Sequence, residues 1–305
     1  MTDQATELFT PELMARVRQI QIRTHRLVSE VLSGAYRSTM RGTGIEFEEV
    51  RPYQPGDDTR AIDWNVTART GEAFIKTYRE ERQLILHFVV DTSPSMAFGT
   101  QAITKRELAA EFCALLATVA VEQKDLVGLS TFADEPGLFM PPGQGRNHVL
   151  RIVREVIAAP TGGRARDDQS ELADALDHVS PLLHRRALIF VVSDFLDEKR
   201  EQWREALARL GQRHDVIAVR VVDPFEVELP SAGIVRLREI EGSGEVEVDT
   251  RSRKVREAWA KAAAERKQAW SDTLDRARTD RIELNTSENI ADPVIRFFRS
   301  RRKSR

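Results

Sequence analysis

Three side chains with hard oxygen atoms lie two residues apart, directly after the most apolar run of the chain. Asp91, Ser93 and Ser95 follow residues 84–90, of which six of seven are apolar. A continuous apolar run of this length predicts a strand that is buried on both faces, as at the centre of a parallel sheet. Open α/β sheets bind ligands at the carboxyl ends of such strands. Because Mg²⁺ prefers oxygen ligands, one carboxylate and two hydroxyls at this edge indicate a divalent cation site.

The same cluster is also typical of a solvated turn. Asp and Ser side chains after a strand commonly close turns by bonding to the backbone, and Pro94 prevents the segment from continuing as regular strand or helix. The spacing of the three residues therefore leaves both interpretations open, and the surrounding sequence has to decide between them.

That surrounding sequence carries several short motifs. Residues 91–96, DTSPSM, resemble the metal-ion-dependent adhesion site of von Willebrand factor A domains. Upstream lie FEEVRPY at 47–53, PGDD at 55–58, RAIDW at 60–64 and ARTG at 68–71. Together these motifs resemble a bacterial family, the domain-of-unknown-function family number fifty-eight, which contains an A-like domain and is often encoded beside MoxR-type AAA+ ATPases. The resemblance extends over roughly residues 42–222.

The resemblance implies a metal site assembled from three loops. The first loop contributes Asp91, Ser93 and Ser95. The second contributes a hydroxyl, here from Ser170 where Thr is usual, and Glu171 follows it where the family of A domains has Asp. The third contributes Asp194. The implied ion is Mg²⁺, or Mn²⁺ or Ca²⁺, and a carboxylate of a partner would complete its coordination. Asp167 and Asp168 are alternative donors.

The order of the predicted elements supports this fold independently. Strand-like and helical segments alternate between residues 84 and 222, among them an amphipathic helix at 105–122, a strand at 126–132 and a helix that Ser170 opens as N-cap. This alternation predicts β-α-β units and an α/β fold with an open, mostly parallel sheet flanked by helices. We predict three parts. Residues 1–80 form an N-terminal helix and a β-rich layer packed on the main domain, 81–225 the von Willebrand factor A-like domain, and 226–305 a hairpin with C-terminal helices.

The N-terminal motifs contain many charged and aromatic residues. Residues 61–68 and 72–78 are predicted to be extended, within a small layer held by internal ion pairs. The alternative makes the same side chains a docking or catalytic surface, because a motif does not separate a structural role from a functional one. The candidate docking residues are Arg51, Asp57, Asp58, Arg60, Asp63, Trp64 and Arg69.

Composition excludes several classes of protein. The 46 basic and 48 acidic residues give a formal net charge of −2, which offers no global attraction for nucleic acid or membranes. Cys113 is the only cysteine, so no intramolecular disulfide is expected. No apolar run approaches the roughly 20 residues that span a bilayer, and the first residues lack a secretory pattern. We therefore expect a soluble, cytoplasmic protein, and the sequence leaves its oligomeric state open.

Two functional hypotheses follow. The first is a non-enzymatic, metal-dependent interaction module that binds a partner carboxylate. By resemblance, it is an adaptor of a MoxR-type AAA+ ATPase in the assembly or maturation of a client protein complex. The second is a phosphatase-like, metal-dependent hydrolase that uses Asp91. Such phosphatases generally have a second Asp two residues after the first, where this chain has Ser93, and no general acid or base is evident nearby.

Overall fold

The computed structural model describes residues 15–20, 23, 32–34, 36, 46–79, 83–160, 170–238 and 244–303. The chain divides into two compact units, Met40–Leu84 and a larger one formed by Met1–Thr39 together with Ile85–Arg305. The division into three parts at residues 80 and 225 stays a prediction.

The smaller unit is a hairpin with a short helical insertion. Strands β1 (Glu46–Pro52) and β2 (Phe74–Arg79) pair antiparallel. Between them lie a 3-10 turn, Thr59–Ala61, and helix α1, Trp64–Thr70. The prediction that residues 61–68 are extended was wrong. The side chain of Asp63 accepts hydrogen bonds from the first free amides of α1, and Gly71 ends the helix with a left-handed backbone, φ 77°.

The larger unit is built around a six-stranded sheet. The strands in chain order are β3 (Ile85–Asp91), β4 (Leu126–Phe132), β5 (Pro136–Gly143), β6 (Leu188–Ser193), β7 (Asp215–Val222) and β10 (Asp280–Asn285). Their order across the sheet is β10-β7-β6-β3-β4-β5, and only β5 runs antiparallel to its neighbour. Strands β8 (Ile234–Arg238) and β9 (Glu245–Asp249) form a separate hairpin.

Helices lie between these strands and after the last of them. They are α2 (Lys105–Glu122), α3 (Arg146–Ala158), α4 (Glu171–Leu182), α5 (Arg200–Gly211), α6 (Pro224–Val227), α7 (Arg253–Ala277) and α8 (Ala291–Lys303). Helix α2 has the bounds that its sequence predicts. It starts with a capping box between Thr104 and Glu107, and it is buried along most of its length because it packs on the central strand.

This topology confirms the predicted α/β fold with a mostly parallel sheet. The central strands β3 and β6 are buried on both faces, and Phe88, Phe112 and Phe190 pack together with ring centroids 5.4 to 6.1 Å apart. From β3 the chain runs outward to β4 and β5 and then returns to β6 on the other side of β3. The strand order therefore reverses between β3 and β6, and ligands of open α/β sheets bind in the crevice at such a switch point.

Candidate metal site

Asp91 is the last residue of β3 and lies at this switch point. Its Oδ1 accepts a hydrogen bond from the amide of Ser93 at 2.9 Å, and its Oδ2 accepts one from the hydroxyl of Ser193, the last residue of β6, at 2.6 Å. The carboxylate is buried, which raises its pKa to about 6, and the charge of Asp194 contributes to the same shift. The hydrogen bonds from Ser193 and Ser93 lower that pKa without offsetting these effects. A cation at Asp91 would therefore relieve an unfavourable charge.

The loop after Asp91 brings its two hydroxyls together. The 3-10 turn Pro94–Ala97 folds the chain so that the Oγ atoms of Ser93 and Ser95 lie 3.0 Å apart, and both side chains are buried. Arg106 holds the backbone of this loop in place, because its guanidinium donates hydrogen bonds to the carbonyl oxygens of Thr92 and Ser93. The predicted residues of the first loop are thus adjacent in space as well as in sequence.

Asp194, directly after β6, has a different partner. Its Oδ2 accepts a hydrogen bond from Nζ of Lys105 at 2.8 Å, and its Oδ1 accepts one from the amide of Leu196 at 3.2 Å. Lys105 has no exposed surface, and its Nζ also donates to Glu226 at 2.6 Å. Burial lowers the pKa of Lys105, but the charges of Asp194 and Glu226 more than offset it, so the net pKa is raised. The lysine is therefore a buried ammonium ion between two carboxylates.

Ser170 is engaged within its own loop. It is the N-cap of α4, where its Oγ accepts the amide of Ala173 at 3.1 Å, and its hydroxyl donates to the carboxylate of Asp197. This confirms the prediction that Ser170 begins a helix. The alternative donors Asp167 and Asp168 lie outside the described residues.

The candidate docking residues of the smaller unit divide into two groups. Arg51 and Asp57 form a two-bond ion pair at 2.7 and 2.8 Å, while Asp58 and Asp63 cap the 3-10 turn and helix α1. These contacts give the four residues structural roles. In contrast, the side chain of Trp64 is 70 % exposed, and Arg60 and Arg69 are exposed as well.

The donor set at the end of β3 fits a small divalent cation. Asp91, Ser93 and Ser95 offer hard oxygen atoms, and burial together with the charge of Asp194 raises the pKa of Asp91, so its ionised form would be stabilised by a cation. The described residues nevertheless contain no group of three or more His, Cys, Asp or Glu side chains placed to hold a metal ion. The nearby carboxylate of Asp194 is bound to the ammonium of Lys105 instead. The oxygen atoms of the site therefore fit a divalent cation, but the carboxylate of Asp194 is already paired with the ammonium of Lys105.

The sequence reasoning missed the residues around these ligands. They are Lys105, Arg106, Ser193 and Glu226. One signal was present, because Lys105 and Arg106 occupy the first turn of a helix, where the helix dipole disfavours cations. Two consecutive basic residues at such a place indicate that carboxylates or carbonyl oxygens from elsewhere in the chain stabilise them.

The family described as Protein of unknown function DUF58 matches residues 49–269. This chain belongs to the DUF58 family. Its DUF58 relatives include the uncharacterized protein Rv1480 of Mycobacterium tuberculosis, which is 32 % identical over 296 residues, 96 % of this chain and 91 % of the relative. The family predicted from the motifs is thereby confirmed, and the strand order agrees with its von Willebrand factor A-like fold.

Two solved structures are similar to the DUF58 chain. BatB from Bacteroides thetaiotaomicron is 14 % identical with a TM-score of 0.46, over 72 % of this chain and 99 % of that one. The SpRpn10 VWA domain is 12 % identical with a TM-score of 0.42, over 70 % and 94 % of the two chains.

Within the part of the chain that the structure describes, no helix combines the length and the apolar character that crossing a bilayer requires.

Proposed function

We propose that this DUF58 chain is a non-enzymatic protein-interaction module, which binds a divalent cation at the end of β3 and, through it, a carboxylate of a partner protein. The observation that supports the proposal is the environment of the Asp91 carboxylate. It is a buried acid at the topological switch point, it lies beside two hydroxyls, and its pKa is raised by burial and by a second carboxylate. Such a group gains more from a cation than an exposed acid does.

The chain's own residues would hold and orient this site. Asp91 supplies the charge, Ser93 and Ser95 supply neutral oxygen atoms, and Ser193 fixes the carboxylate of Asp91 through its hydroxyl. A bound Mg²⁺, Mn²⁺ or Ca²⁺ would supply positive charge and a free coordination position for an anionic oxygen. Three neutral or singly charged ligands leave most of that charge available for a partner.

The proposed partner is a MoxR-type AAA+ ATPase that acts with this chain on a client protein complex. The family resemblance supports this partner. Such an ATPase needs ATP, so the proposal places the interaction in the cytoplasm. The nearly balanced charge of the chain supports a protein partner over nucleic acid, because recognition of nucleic acid relies on concentrated basic charge.

Metal-dependent thermal unfolding tests the cation site. We expect Mg²⁺ or Mn²⁺ to raise the melting temperature of the wild-type chain, since a ligand of the folded state adds about 2.7 kcal/mol at a hundred times its Kd. Asp91→Ala should lose this response. Asp272→Asn, which changes an exposed carboxylate on α7, is the matched control and should keep it.

Capture of the ATPase tests the partner. A purified MoxR-type ATPase should bind the wild type in Mg²⁺, dissociate in EDTA, and fail to bind Asp91→Ala. Binding that ignores both EDTA and the substitution would contradict a metal-bridged contact. Hydrolysis of p-nitrophenyl phosphate that Asp91→Asn abolishes without unfolding the chain would instead establish the hydrolase.

A further inference from the structure

The environment of Lys105 bears on how the proposed site binds its cation. Its Nζ lies 2.8 Å from Asp194 and 2.6 Å from Glu226, and the side chain is fully buried. Glu226 is itself fixed, because its second oxygen accepts the amide of Asp223 at 3.0 Å. The ammonium ion is therefore held in one place by two acids from different loops.

The position of Lys105 on its helix adds a second argument. It is the first residue of α2, where the positive end of the helix dipole and burial both disfavour a cation. The carboxylates of Asp194 and Glu226 compensate for these two effects, together with the ring of Phe98, whose centroid lies 5.9 Å from Nζ. The ammonium of Lys105 therefore depends on Asp194 and Glu226 for its charge compensation, and a divalent cation at Asp194 would compete with it.

The acids around the site are partly neutralised by basic side chains. Lys105 contacts both Asp194 and Glu226, and the charge of Arg106 acts on Asp91, so two cations face three carboxylates. A divalent ion that enters at Asp91 therefore meets less negative charge than the three carboxylates alone would present. Neighbouring charges that are partly shielded from water interact strongly. Loss of either cation should thus change metal affinity strongly.

We propose that Lys105 is an internal competitor of the metal ion, which holds Asp194 in the metal-free protein and must release it before a divalent cation binds with full affinity. This inference rests on the proposed metal site and concerns its regulation. It predicts that the wild-type chain alone binds Mg²⁺ weakly and that an acidic partner, which adds a further negative charge, strengthens the binding.

The test is a calorimetric Mg²⁺ titration, repeated with Mn²⁺, of the full chain and three variants. Lys105→Met keeps most of the apolar stem and removes the charge, and we expect its Kd for Mg²⁺ to fall at least about tenfold. Lys105→Gln, which keeps a neutral donor for Asp194, should shift in the same direction and serves if Lys105→Met does not fold. Arg220→Met is the control. Arg220 is a buried cation that pairs with Glu283, and burial lowers its pKa although the charges of Glu283, Glu226 and Asp194 oppose that shift.

Melting temperatures provide a readout that is independent of the titration. Without metal, Lys105→Met should melt below the wild type, because Asp194 and Glu226 lose their counter-ion. Saturating Mg²⁺ should raise its melting temperature by more than that of the wild type. A merely structural role would lower the melting temperature equally with and without metal.

Each outcome of the titration supports or overturns the metal site, the competitor role of Lys105, or both. If the wild type binds Mg²⁺ and Lys105→Met binds it no more tightly, the competitor role is wrong while the metal site stands. If Lys105→Met binds and the wild type does not, the competitor role stands and metal binding by the chain alone fails. Equal tightening by Arg220→Met would overturn the inference, because bulk charge would then explain the effect. Absence of binding by both proteins overturns both proposals.

Discussion

Asp91 depends on a neighbouring strand for the orientation of its carboxylate. Ser193 donates its hydroxyl to Oδ2 of Asp91 at 2.6 Å and accepts the amide of Phe195 at 3.0 Å, so it connects the ends of β3 and β6. In metal sites generally, removal of a residue that orients a metal ligand in this way weakens metal binding by roughly 10- to 100-fold.

We therefore predict that Ser193→Ala weakens Mg²⁺ binding about tenfold, because the carboxylate of Asp91 loses a hydrogen bond that favours its charged form. The same titration that measures the wild type checks this. Ser193→Thr, which keeps the hydroxyl, should remain close to the wild type. Equal losses in both variants would indicate that packing at the strand end matters and the hydroxyl does not.

His87 provides a pH-dependent prediction away from the metal site. It lies fully buried in β3, its Nε2 is 2.8 Å from the hydroxyl of Ser130, and its pKa is lowered to about 3 by burial and by the charge of His214. In the unfolded chain the pKa is about 6.5. Between these values the unfolded state binds more protons, so folding stability falls as the pH falls from 6.5 towards 3.

We expect this histidine to remove on the order of 3 kcal/mol of stability between pH 6.5 and pH 4. Urea unfolding at several pH values should therefore show a shallower acid loss for His87→Gln than for the wild type. The exposed His184 offers a control, since His184→Gln should keep the wild-type profile. Parallel profiles for all three proteins would mean that His87 is charged in the folded state.

Asp63 shows how one residue determines an element of the smaller unit. Its carboxylate accepts the amides of Asn65 and Val66, at 3.0 and 3.4 Å, and thereby begins α1. We predict that Asp63→Ala destabilises the chain by about 1 kcal/mol in urea unfolding, whereas Asp63→Asn, also a good N-cap, stays near the wild type. Loss of ATPase capture in Asp63→Asn without loss of stability would instead favour the docking role of this residue.

A comparison of three elements shows which parts of the fold the sequence could predict. Helix α2 and strand β4 have the predicted bounds, because an apolar pattern, a capping box and flanking turn residues agree there. Residues 61–68 are predicted to be extended, whereas helix α1 begins within this segment at Trp64. The cap at Asp63 and the left-handed Gly71 were the signals for α1, and both were readable in the sequence.

At the scale of the whole molecule, the sequence predicted the sheet and one loop of the site. The apolar strands and their alternation with helices indicate the parallel sheet, and Asp91, Ser93 and Ser95 are local in sequence. The contacts of Lys105 are not, because Asp194 and Glu226 lie 89 and 121 residues further along the chain. The two basic residues in the first turn of α2 indicate that such partners exist, but only the fold identifies them as Asp194 and Glu226.

The C-terminal segment provides the last prediction, since it completes the sheet. β10 pairs with β7 over six residues, and Ile282 and Leu284 are buried there. A chain that ends at residue 225 would expose the buried face of β7 and leave it as an edge strand. We expect this chain to lose cooperative thermal unfolding and to aggregate.

Removal of the β8-β9 hairpin is the matched deletion. Thr250 donates its amide and its hydroxyl to the carbonyl oxygen of Gly233, at 2.8 and 2.7 Å, so the two ends of the hairpin already meet. Ile234 and Val246 on the hairpin are more than half exposed, which limits the apolar burial that is lost. Replacement of residues 234–249 by a short Gly-Ser linker should therefore keep cooperative unfolding with a small change in melting temperature. A stable, cooperative chain 1–225 would show instead that the sheet does not need β10, and the predicted boundary at 225 would then be a true domain boundary.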